Sequence, residues 1–335
     1  MTKGGQEEPI LEVIDLKKHF PVQKSFFERL FTRKLEFIKA VDGISFQVKR
    51  GEIFTLAGES GCGKTTTGRL ILRLIEPTEG HIIFRGKDIT HLEGESIREI
   101  RRHMQIIFQD PYASLNPRMR VGEAVGHPLE IHRIATGEEK RRRVKELLEM
   151  VGLSPAEKFY DAFPHQLSGG QRQRVAVARA MALSPELMVA DEPVSMIDVS
   201  IRAVILELMM HLRNEFNLTY LFITHDLAVA KYISDRIAIM YLGKVVEMGG
   251  HTDVFKNPLH PYTRALLSAI PVPDPKVKID HMKLKGEVPS PVNIPSGCRL
   301  HPRCPYAFEP CPIEEPELIE IEKDHFVSCH LHTKS

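Results

Sequence analysis

The stretch Gly58-Glu-Ser-Gly-Cys-Gly-Lys-Thr-Thr66 decides the fold of this chain. It follows a short apolar run, Ile53–Ala57, that is typical of a buried strand, and a helix is predicted over Thr65–Ile75. The glycines let the backbone curl so that several N–H groups point at phosphate oxygens, and the helix adds its positive N-terminal end. A strand, a glycine-rich loop and a helix in this order predict a phosphate-binding loop.

The candidate phosphate-binding residues of this loop are Gly58, Ser60, Gly61, Gly63, Lys64, Thr65 and Thr66. We expect Lys64 to reach the β- and γ-phosphates of a nucleotide and the hydroxyl of Thr65 to bind Mg²⁺. Cys62 lies inside the loop and is expected only to pack against it. The predicted ligands are therefore ATP and Mg²⁺.

Two carboxylates follow a second apolar strand, which is predicted over Leu187–Ala190. We expect Asp191 to hold Mg²⁺ through water, and Glu192 to orient and deprotonate the attacking water. Gln109 and His225 each end a further predicted strand. Gln109 is expected to bind Mg²⁺ or to sense the water, and His225 to contact the γ-phosphate. Behind a phosphate loop, this set predicts ATP hydrolysis.

A second helix N-terminus in the chain is suited to bind an anion. It is formed by Leu167-Ser168-Gly169-Gly170-Gln171, where serine is a good N-cap and the two glycines permit close approach of the backbone. One subunit does not easily place both helix ends around one nucleotide, because each needs the γ-phosphate in its own concavity. We therefore expect Ser168, Gly169, Gly170 and Gln171 to contact a nucleotide held by a partner subunit.

Composition sets limits on the class of protein. The chain has 335 residues, 42% of them hydrophobic, and a net charge of +1, which gives no electrostatic case for binding nucleic acid or an anionic membrane surface. Its apolar runs have the length of strands and are far short of a membrane span, and its N-terminus lacks the apolar region of a secretory signal. We expect a soluble cytosolic chain that a partner holds at any membrane where it works.

The order of predicted elements gives the domain organisation. Strands that alternate with helices predict a parallel α/β sheet, and the proline-punctuated, charged region of about 111–180 is read as a helical subdomain inserted into it. A turn is predicted at Asp42-Gly43, and the basic, aromatic segment 21–37 as a hairpin excursion or a loop. After about Asn257 the character of the chain changes, and the proline-rich stretches 271–275 and 289–295 are predicted to be loop. The predicted domains are therefore 1–256 and a small module, 257–335.

Together these motifs resemble the nucleotide-binding subunit of an ABC transporter, over nearly the whole chain. Residues 58–66 match the Walker A motif of that family, Gln109 its Q-loop, 167–171 its LSGGQ signature, 187–192 its Walker B motif and His225 its switch histidine. The resemblance implies a P-loop NTPase with a RecA-like core, an antiparallel β subdomain and an inserted helical subdomain. It also implies a head-to-tail dimer in which ATP lies between the Walker A loop of one subunit and the signature of the other.

Two further residues take their roles from this resemblance. Phe20 lies where the family stacks an aromatic ring on adenine, and Asp198 is the aspartate of the cross-dimer D-loop. The stretch Ser195-Met-Ile-Asp198 departs from the family's usual Ser-Ala-Leu-Asp at residues 196 and 197, but Asp198 is retained, so we expect the cross-dimer D-loop to work.

Finer features resemble one branch, the di- and oligopeptide importer ATPases. These are Phe108-Gln-Asp-Pro-Tyr-Ala-Ser-Leu-Asn-Pro-Arg118 and Asn257-Pro-Leu-His-Pro-Tyr-Thr263, while the 21–37 excursion resembles the F-type member of the D/F ATPase pair. The resemblance implies an ATPase subunit that powers peptide import at the cytoplasmic face of the membrane. It implies as partners a second ATPase subunit of D type, two transmembrane permease subunits that contact the surface near Gln109–Arg118 and, indirectly, an extracellular substrate-binding protein.

Four of the five cysteines, namely Cys298, Cys304, Cys311 and Cys329, crowd into the end of the chain. Five, six and seventeen residues separate them, gaps wider than those of most structural zinc sites. Four thiolates suit an iron–sulfur cluster, nearby histidines keep zinc open, and free thiols are a third possibility. The resemblance favours a 4Fe–4S cluster that stabilises the module and carries no electrons.

Rival functions remain open at this point. The same ATPase could serve an importer of nickel, glutathione or oligosaccharides, because an ATPase subunit does not touch cargo. A soluble ABC-type ATPase acting on DNA or ribosomes usually carries a long coiled-coil insertion or two cassettes, and this chain has a single cassette with a short helical insertion. A third rival is a redox sensor that uses its cluster to regulate ATP hydrolysis. Whether the partner ATPase is identical or different is also left open.

Overall fold

The structure is a computed structural model that describes residues 8–22, 36–270 and 282–333. Most of the predicted 21–37 excursion and the proline-rich segment 271–275 lie outside the described residues. The chain forms two compact units. The first consists of Met1–Ile10, Val48–Ile53 and His91–Ile223, and the second of Leu11–Gln47, Phe54–Thr90 and Thr224–Ser335.

The described strands are β1 (Leu11–Pro21), β2 (Phe37–Val48), β3 (Ile53–Ala57), β4 (Glu79–Phe84), β5 (Lys87–Asp88), β6 (Met104–Ile107), β7 (Leu187–Asp191), β8 (Thr219–Thr224), β9 (Arg236–Tyr241), β10 (Lys244–Gly250), β11 (Ile319–Glu322) and β12 (His325–Val327). The described helices are α1 (Lys64–Ile71), α2 (Gly94–His103), α3 (Pro111–Ser114), α4 (Val121–Ile131), α5 (Gly137–Met150), α6 (Ala156–Tyr160), α7 (Gly169–Met181), α8 (Val199–Phe216), α9 (Leu227–Ile233), α10 (His251–Lys256) and α11 (Pro261–Ser268). A single 3₁₀ turn, Pro164–Gln166, precedes α7.

The first unit contains the parallel strands β6, β7 and β8, with β7 in the middle. Every residue of β7 and β8 is buried, which explains why both read as continuous apolar runs. The register sets Ile107 opposite Ala190 and Asp191 opposite Ile223. The residues that follow these strands therefore emerge at one edge of the sheet.

Helices α3 to α7 occupy residues 111–181 of the same unit. Helices α4, α5 and α7 pack on one another around buried Val125, Val144 and Val175. Gly122 of α4 meets the ring of Tyr160, where an added Cβ would lie 2.6 Å from ring carbons. A small residue at 122 is what lets α4 approach α6.

The second unit begins with a sheet of order β2-β1-β4-β5, in which β4 is antiparallel to both β1 and β5. The predicted turn at Asp42-Gly43 is wrong, since both residues lie within the single strand β2. The dipeptide favours a turn, but here Gly43 takes φ of 81° without reversing the chain. Asp42 instead has three side-chain partners, namely His19, Arg299 and, at 3.6 Å, the ammonium of Lys39.

The second unit also holds β3, β9 and β10, with β3 parallel to β9 and β9 antiparallel to β10. The hairpin of β11 and β12 adds to the free edge of β10, where Glu247 pairs with Val327. These two short strands were not predicted, because their few residues give little periodic signal. Within the described residues, no helix is both long enough and apolar enough to span a membrane.

Candidate functional site

The phosphate loop, residues 58–66, connects β3 to α1 in the second unit. Gly58 and Gly63 have positive φ of 150° and 110°, and a Cβ at either would lie 2.2 Å from a backbone oxygen, of Met240 and Ala40 respectively. No side chain fits at these two positions. Helix α1 begins at Lys64, so the N–H groups of its first turn are directed toward the loop.

The ammonium group of Lys64 lies inside this loop and is buried. It donates to the carbonyl oxygens of Gly58 at 2.8 Å and Glu59 at 2.9 Å, and lies 3.6 Å from Sγ of Cys62. The Cys62 thiol is itself buried, and burial raises its pKa despite the nearby Lys64 charge. A neutral, packed thiol agrees with the predicted role of Cys62.

The first unit brings together two of the predicted catalytic residues. Gln109 follows β6 and Glu192 follows β7, and Nε2 of Gln109 donates to Oε2 of Glu192 at 2.8 Å. Asp191, the last residue of β7, is buried at the same strand end. Adjacent parallel strands with residues 107 and 190 in register are the reason that side chains 83 positions apart can meet.

Glu192 has the left-handed backbone conformation that a bulky residue seldom takes, with φ of 48°. Its N–H donates to the carbonyl of Ile223, while Ser195 donates to the carbonyl of Glu192 through both its N–H and its hydroxyl. The surrounding turn thus holds a strained residue in place. Strain of this kind is concentrated at functional sites, and it directs the carboxylate toward Gln109.

Ser168 is the N-cap of α7, as the sequence predicts. Its hydroxyl accepts from the N–H of Gln171 at 3.3 Å, and the Gln171 side chain accepts from the N–H of Ser168 at 2.9 Å. This reciprocal capping box was missed, although the Ser-x-x-Gln spacing is its signature. It fixes the first turn of a 13-residue helix whose start is exposed at Ser168.

The remaining predicted residues lie at the ends of other elements. Asp198 precedes α8 and is exposed, together with Met196 at 58% and Val199 at 76%. His225 follows β8 and is exposed immediately before Asp226, which caps α9. Phe20 lies near the end of β1, half-buried under the ammonium of Lys18.

Sequence models of two protein families match this chain. The sequence model of the ABC transporter family matches residues 41–195, and that of the oligopeptide/dipeptide transporter C-terminal region matches 246–311. The oligopeptide transport ATP-binding protein AppF of Bacillus subtilis is 51% identical over 99% of this chain and all of its own length. The chain belongs to the ABC transporter ATP-binding proteins.

Two further similarities support the assignment. The dipeptide transport ATP-binding protein DppF of Haemophilus influenzae is 45% identical over 98% of this chain and 99% of its own length. The solved structure of the ATP-binding cassette MJ0796, a dimer in a post-hydrolysis state bound to ADP and Pi, is 31% identical with a TM-score of 0.62. The similarity covers 72% of this chain and 98% of the MJ0796 chain. It therefore lies in the ABC cassette and shows that this chain has the ATPase fold.

The His-Pro-Tyr element of this ABC protein is built around one buried carboxylate. Glu247 of β10 is wholly buried and accepts from the N–H groups of Leu259 at 2.8 Å and His260 at 2.9 Å. Nε2 of His325 on β12 lies 2.9 Å from the same carboxylate. Burial acts to raise the pKa of Glu247, but the hydrogen bond from His325 and those from the backbone outweigh it and lower the pKa.

The four C-terminal cysteines form no disulfide bond, and their thiols interact electrostatically with one another. Burial raises the pKa of Cys298 to about 11 and of Cys329 to about 12, and the other thiols nearby raise both further. The N–H of Cys298 donates to the carbonyl of Cys311 at 2.7 Å. Among the described residues, no group of three or more His, Cys, Asp or Glu side chains is arranged to hold a metal ion.

Sequence reasoning assigned no role to three charged residues of the second unit: Asp42, Glu59 and Glu247. Each is an acceptor for groups of the C-terminal extension, which we define as residues 257–333. Their partners lie 257, 244 and 12 positions away in the chain. The contacts of Asp42 and Glu59 therefore cannot be predicted from any local sequence pattern.

Proposed function

We propose that this chain is an ATP-hydrolysing subunit that powers import of dipeptides or oligopeptides across a membrane. The names of its full-length relatives and the match to the oligopeptide/dipeptide transporter C-terminal region support the cargo class. The observation that supports hydrolysis is the 2.8 Å bond from Gln109 to Glu192, next to buried Asp191. It joins the acid and the amide that we assign to the Walker B motif and the Q-loop of the family.

The phosphate loop binds the nucleotide in this proposal. Its backbone N–H groups and the start of α1 bind phosphate oxygens. Glycines 58 and 63, where no side chain fits, let the backbone approach these oxygens closely. The ammonium of Lys64 has three N–H donors, and two of them donate to loop carbonyls. When a nucleotide binds, its phosphate oxygens would replace these carbonyls as acceptors. Ser60, Gly61 and Thr66 complete the phosphate-binding set.

The oxygen donors of Thr65, Gln109 and Asp191 fit Mg²⁺, which prefers hydroxyl, amide and carboxylate oxygens to nitrogen or sulfur. When bound, Mg²⁺ neutralises charge on the phosphates. We assign Asp191 to hold the ion through water, because its carboxylate is buried at a strand end and its position is fixed. Thr65 and Gln109 are assigned as direct ligands.

Glu192 is the residue that we assign to take the proton of the attacking water. Its carboxylate accepts from Gln109, so the amide fixes the position of the acid that would take the proton. The positive φ keeps this carboxylate at the end of β7. His225 is assigned to contact the γ-phosphate, and Phe20 to stack on the adenine.

A head-to-tail dimer completes the proposal, with a D-type ATPase chain as the second subunit. In each site the signature residues Ser168 to Gln171 contact the nucleotide bound by the partner. The Ser168 hydroxyl accepts from Gln171, which leaves its own O–H free to donate to a phosphate. Exposed Met196 and Val199, on either side of Asp198, offer apolar surface for the same contact. The relative MJ0796 is dimeric in its solved structure.

Two transmembrane permease subunits are the proposed membrane partners, and they would hold the chain at the cytoplasmic face of the membrane. The predicted contact surface near Gln109–Arg118 contains α3, with Tyr112 60% exposed. The guanidinium of Arg172 stacks on the Tyr112 ring at 3.8 Å and holds it in position. An extracellular substrate-binding protein would deliver the peptide, and no nucleic acid is involved.

We further propose that Cys298, Cys304, Cys311 and Cys329 hold a 4Fe–4S cluster in a C-terminal module spanning 257–335. Four thiols are the ligands that such a cluster takes, and these four lie close enough to raise one another's pKa. Zinc is the alternative. Iron and acid-labile sulfide assays on anaerobically purified protein test this; zinc, or no metal at all, would refute the cluster.

The test of the catalytic assignment is Glu192→Gln. We expect ATP hydrolysis to fall by a factor of about 100 or more, as for removal of a general base, while ATP still binds. Glu207→Gln, an exposed position on α8, is the matched control and is expected to hydrolyse ATP normally. Normal turnover by Glu192→Gln would show that another group takes the proton.

The test of the cargo uses the complete importer. The chain is co-expressed with its candidate permeases and reconstituted in vesicles, and ATP-driven accumulation of labelled di- and oligopeptides is measured. Nickel, glutathione and oligosaccharides serve as competing cargoes. Uptake of one of these three in place of peptides would refute the peptide assignment without affecting the ATPase assignment.

A further inference from the structure

The C-terminal extension contacts the phosphate loop through the tyrosine of its His-Pro-Tyr element. Oη of Tyr262 accepts from the N–H of Glu59, the second residue of the loop, at 2.9 Å. Tyr262 is wholly buried and its ring packs on that of Tyr241, with centroids 4.7 Å apart. The His260 ring accepts from the N–H of Tyr262 at 3.1 Å, and Pro261 starts the helix. The position of this hydroxyl is therefore fixed.

A second contact fixes the side chain of the same loop residue. Nη1 of Arg303 lies 3.1 Å from Oε2 of Glu59, and the Arg303 side chain is only 10% exposed. The carbonyl of Glu59 in turn accepts from the ammonium of Lys64 at 2.9 Å. The N–H, carboxylate and carbonyl of Glu59 are thus all engaged, and two of the three partners come from the extension.

A third contact reaches the other end of the nucleotide site. Arg299 donates to the carbonyl of Leu242 and to Oδ2 of Asp42 in β2. Oδ1 of Asp42 lies 2.7 Å from Nε2 of His19, the neighbour of Phe20 in β1. Burial acts to raise the pKa of Asp42, but the hydrogen bonds from Arg299 and His19 outweigh it and hold the pKa at about 2.

The second and third contacts, made by the two arginines, share one short segment. Arg299 directly follows Cys298 and Arg303 directly precedes Cys304, so both arginines lie on the loop between two of the candidate cluster ligands. One arginine connects this loop to the strand next to the adenine residue, and the other connects it to the phosphate loop. Any change in the order of the segment 298–304 is transmitted to both.

We propose that Tyr262, Arg299 and Arg303 are positioning residues for ATP, through which the C-terminal extension sets the affinity of the site. The proposal rests on the proposed function in taking residues 58–66 as the ATP site. Lys64 touches phosphate in the ground state and the transition state alike, so misplacing the loop weakens both equally. The expected signature is a raised KM and Kd for ATP with little change in kcat.

The experiment titrates full-length variants with a fluorescent ATP analogue in the presence of Mg²⁺, alongside steady-state hydrolysis of ATP. Tyr262→Phe removes one hydroxyl, and we expect about fivefold weaker binding, which is about 1 kcal/mol. Tyr220→Phe is the matched control, because Tyr220 is equally buried and its hydroxyl has no partner within the described structure. Arg303→Gln should weaken binding to a similar extent, and Arg303→Lys should restore part of it.

A merely structural role would lower the melting temperature without changing nucleotide affinity. Unchanged Kd in both Tyr262→Phe and Arg303→Gln would therefore overturn the proposal, whatever their melting temperatures. A lower kcat with normal Kd would overturn it too. The variant Lys64→Ala distinguishes failure of the proposed ATP site from failure of the positioning proposal. If this variant binds the analogue normally, the proposed ATP site is wrong. If it loses binding while the Tyr262 and Arg303 variants keep it, only the positioning proposal fails.

Discussion

Removing the carboxylate of Glu247 should detach the C-terminal extension from β10. In Glu247→Ala, three buried donors lose their acceptor: the N–H groups of Leu259 and His260 and the ring of His325, now at 2.8, 2.9 and 2.9 Å. Breaking a buried charged network by removing one partner costs about 3–5 kcal/mol. At about 2 °C per kcal/mol for a large chain, the melting temperature should fall by about 8 °C.

The assay is thermal unfolding followed by circular dichroism, with limited proteolysis to locate the loosened segment in 257–333. Glu322→Ala, an exposed glutamate on β11, is the control and should change stability by no more than about 0.5 kcal/mol. A Glu247→Ala chain that melts within about 2 °C of the parent would refute the reasoning, because the three donors would then be satisfied without the carboxylate.

The same variant carries a pH check with a definite sign. Because the pKa of Glu247 is lowered below its ordinary 4.5, its contribution to stability is present above pH 4.5 and is lost as the pH falls through the lower folded value. The difference in melting temperature between parent and Glu247→Ala should therefore shrink below about pH 4.5. A difference that grew in acid would mean that the carboxylate is protonated in the folded chain.

Three other predictions concern single positions. Burial lowers the pKa of His260 to about 4, whereas in the unfolded chain this histidine binds its proton near pH 6.5. The free energy of unfolding should therefore fall by an amount on the order of 3 kcal/mol between pH 6.5 and 4. In urea titrations, His260→Asn should lose less stability over the same pH range. Ser168→Ala removes the cap of α7 and should cost about 1 kcal/mol in the same titrations. Gly58→Ala places a Cβ 2.2 Å from a backbone oxygen and should abolish binding of the ATP analogue, whereas Gly94→Ala, also at positive φ but with open space around it, should bind normally.

The sequence predicts well what local patterns determine. The strand 53–57, the glycine loop and the helix after it are adjacent in the chain, so their order alone specifies the phosphate loop. The end of that helix was less predictable. It ends at Ile71, four residues before the expected Ile75, because Arg73 has a left-handed backbone conformation. Nothing in the local sequence predicts that conformation. Boundaries depend on such single residues.

Contacts between distant parts of the chain were not predictable. Arg303 meets Glu59 across 244 positions and Arg299 meets Asp42 across 257, and neither pair belongs to a motif of the cassette. Asp42-Gly43 was misread as a turn because the dipeptide is judged by its own preference. Its actual role comes from His19 and Arg299, which a reading of neighbouring residues cannot supply.

Coupling between the extension and the ATP site must act in both directions. If the contacts of Arg303 and Tyr262 with Glu59 raise the affinity for ATP by a given factor, bound ATP stabilises the ordered form of the extension by the same factor. The amides of Cys298, Arg303 and Cys304, which donate to carbonyls within the extension, report on that order. Nucleotide should slow their hydrogen exchange by up to about fivefold, the ratio expected for the loss of one contact.

The hairpin of β11 and β12 is the internal reference for this measurement. It belongs to the same extension, but it pairs with β10 and not with the phosphate loop. Equal slowing in the hairpin and in 298–304 would mean that nucleotide stabilises the whole unit, with no special path through Glu59. Slowing in 58–66 alone, with 298–304 unchanged, would mean that ATP binds its loop without any energetic link to the cysteine segment. Only selective slowing at 298–304 agrees with two arginines that connect this segment to the nucleotide site.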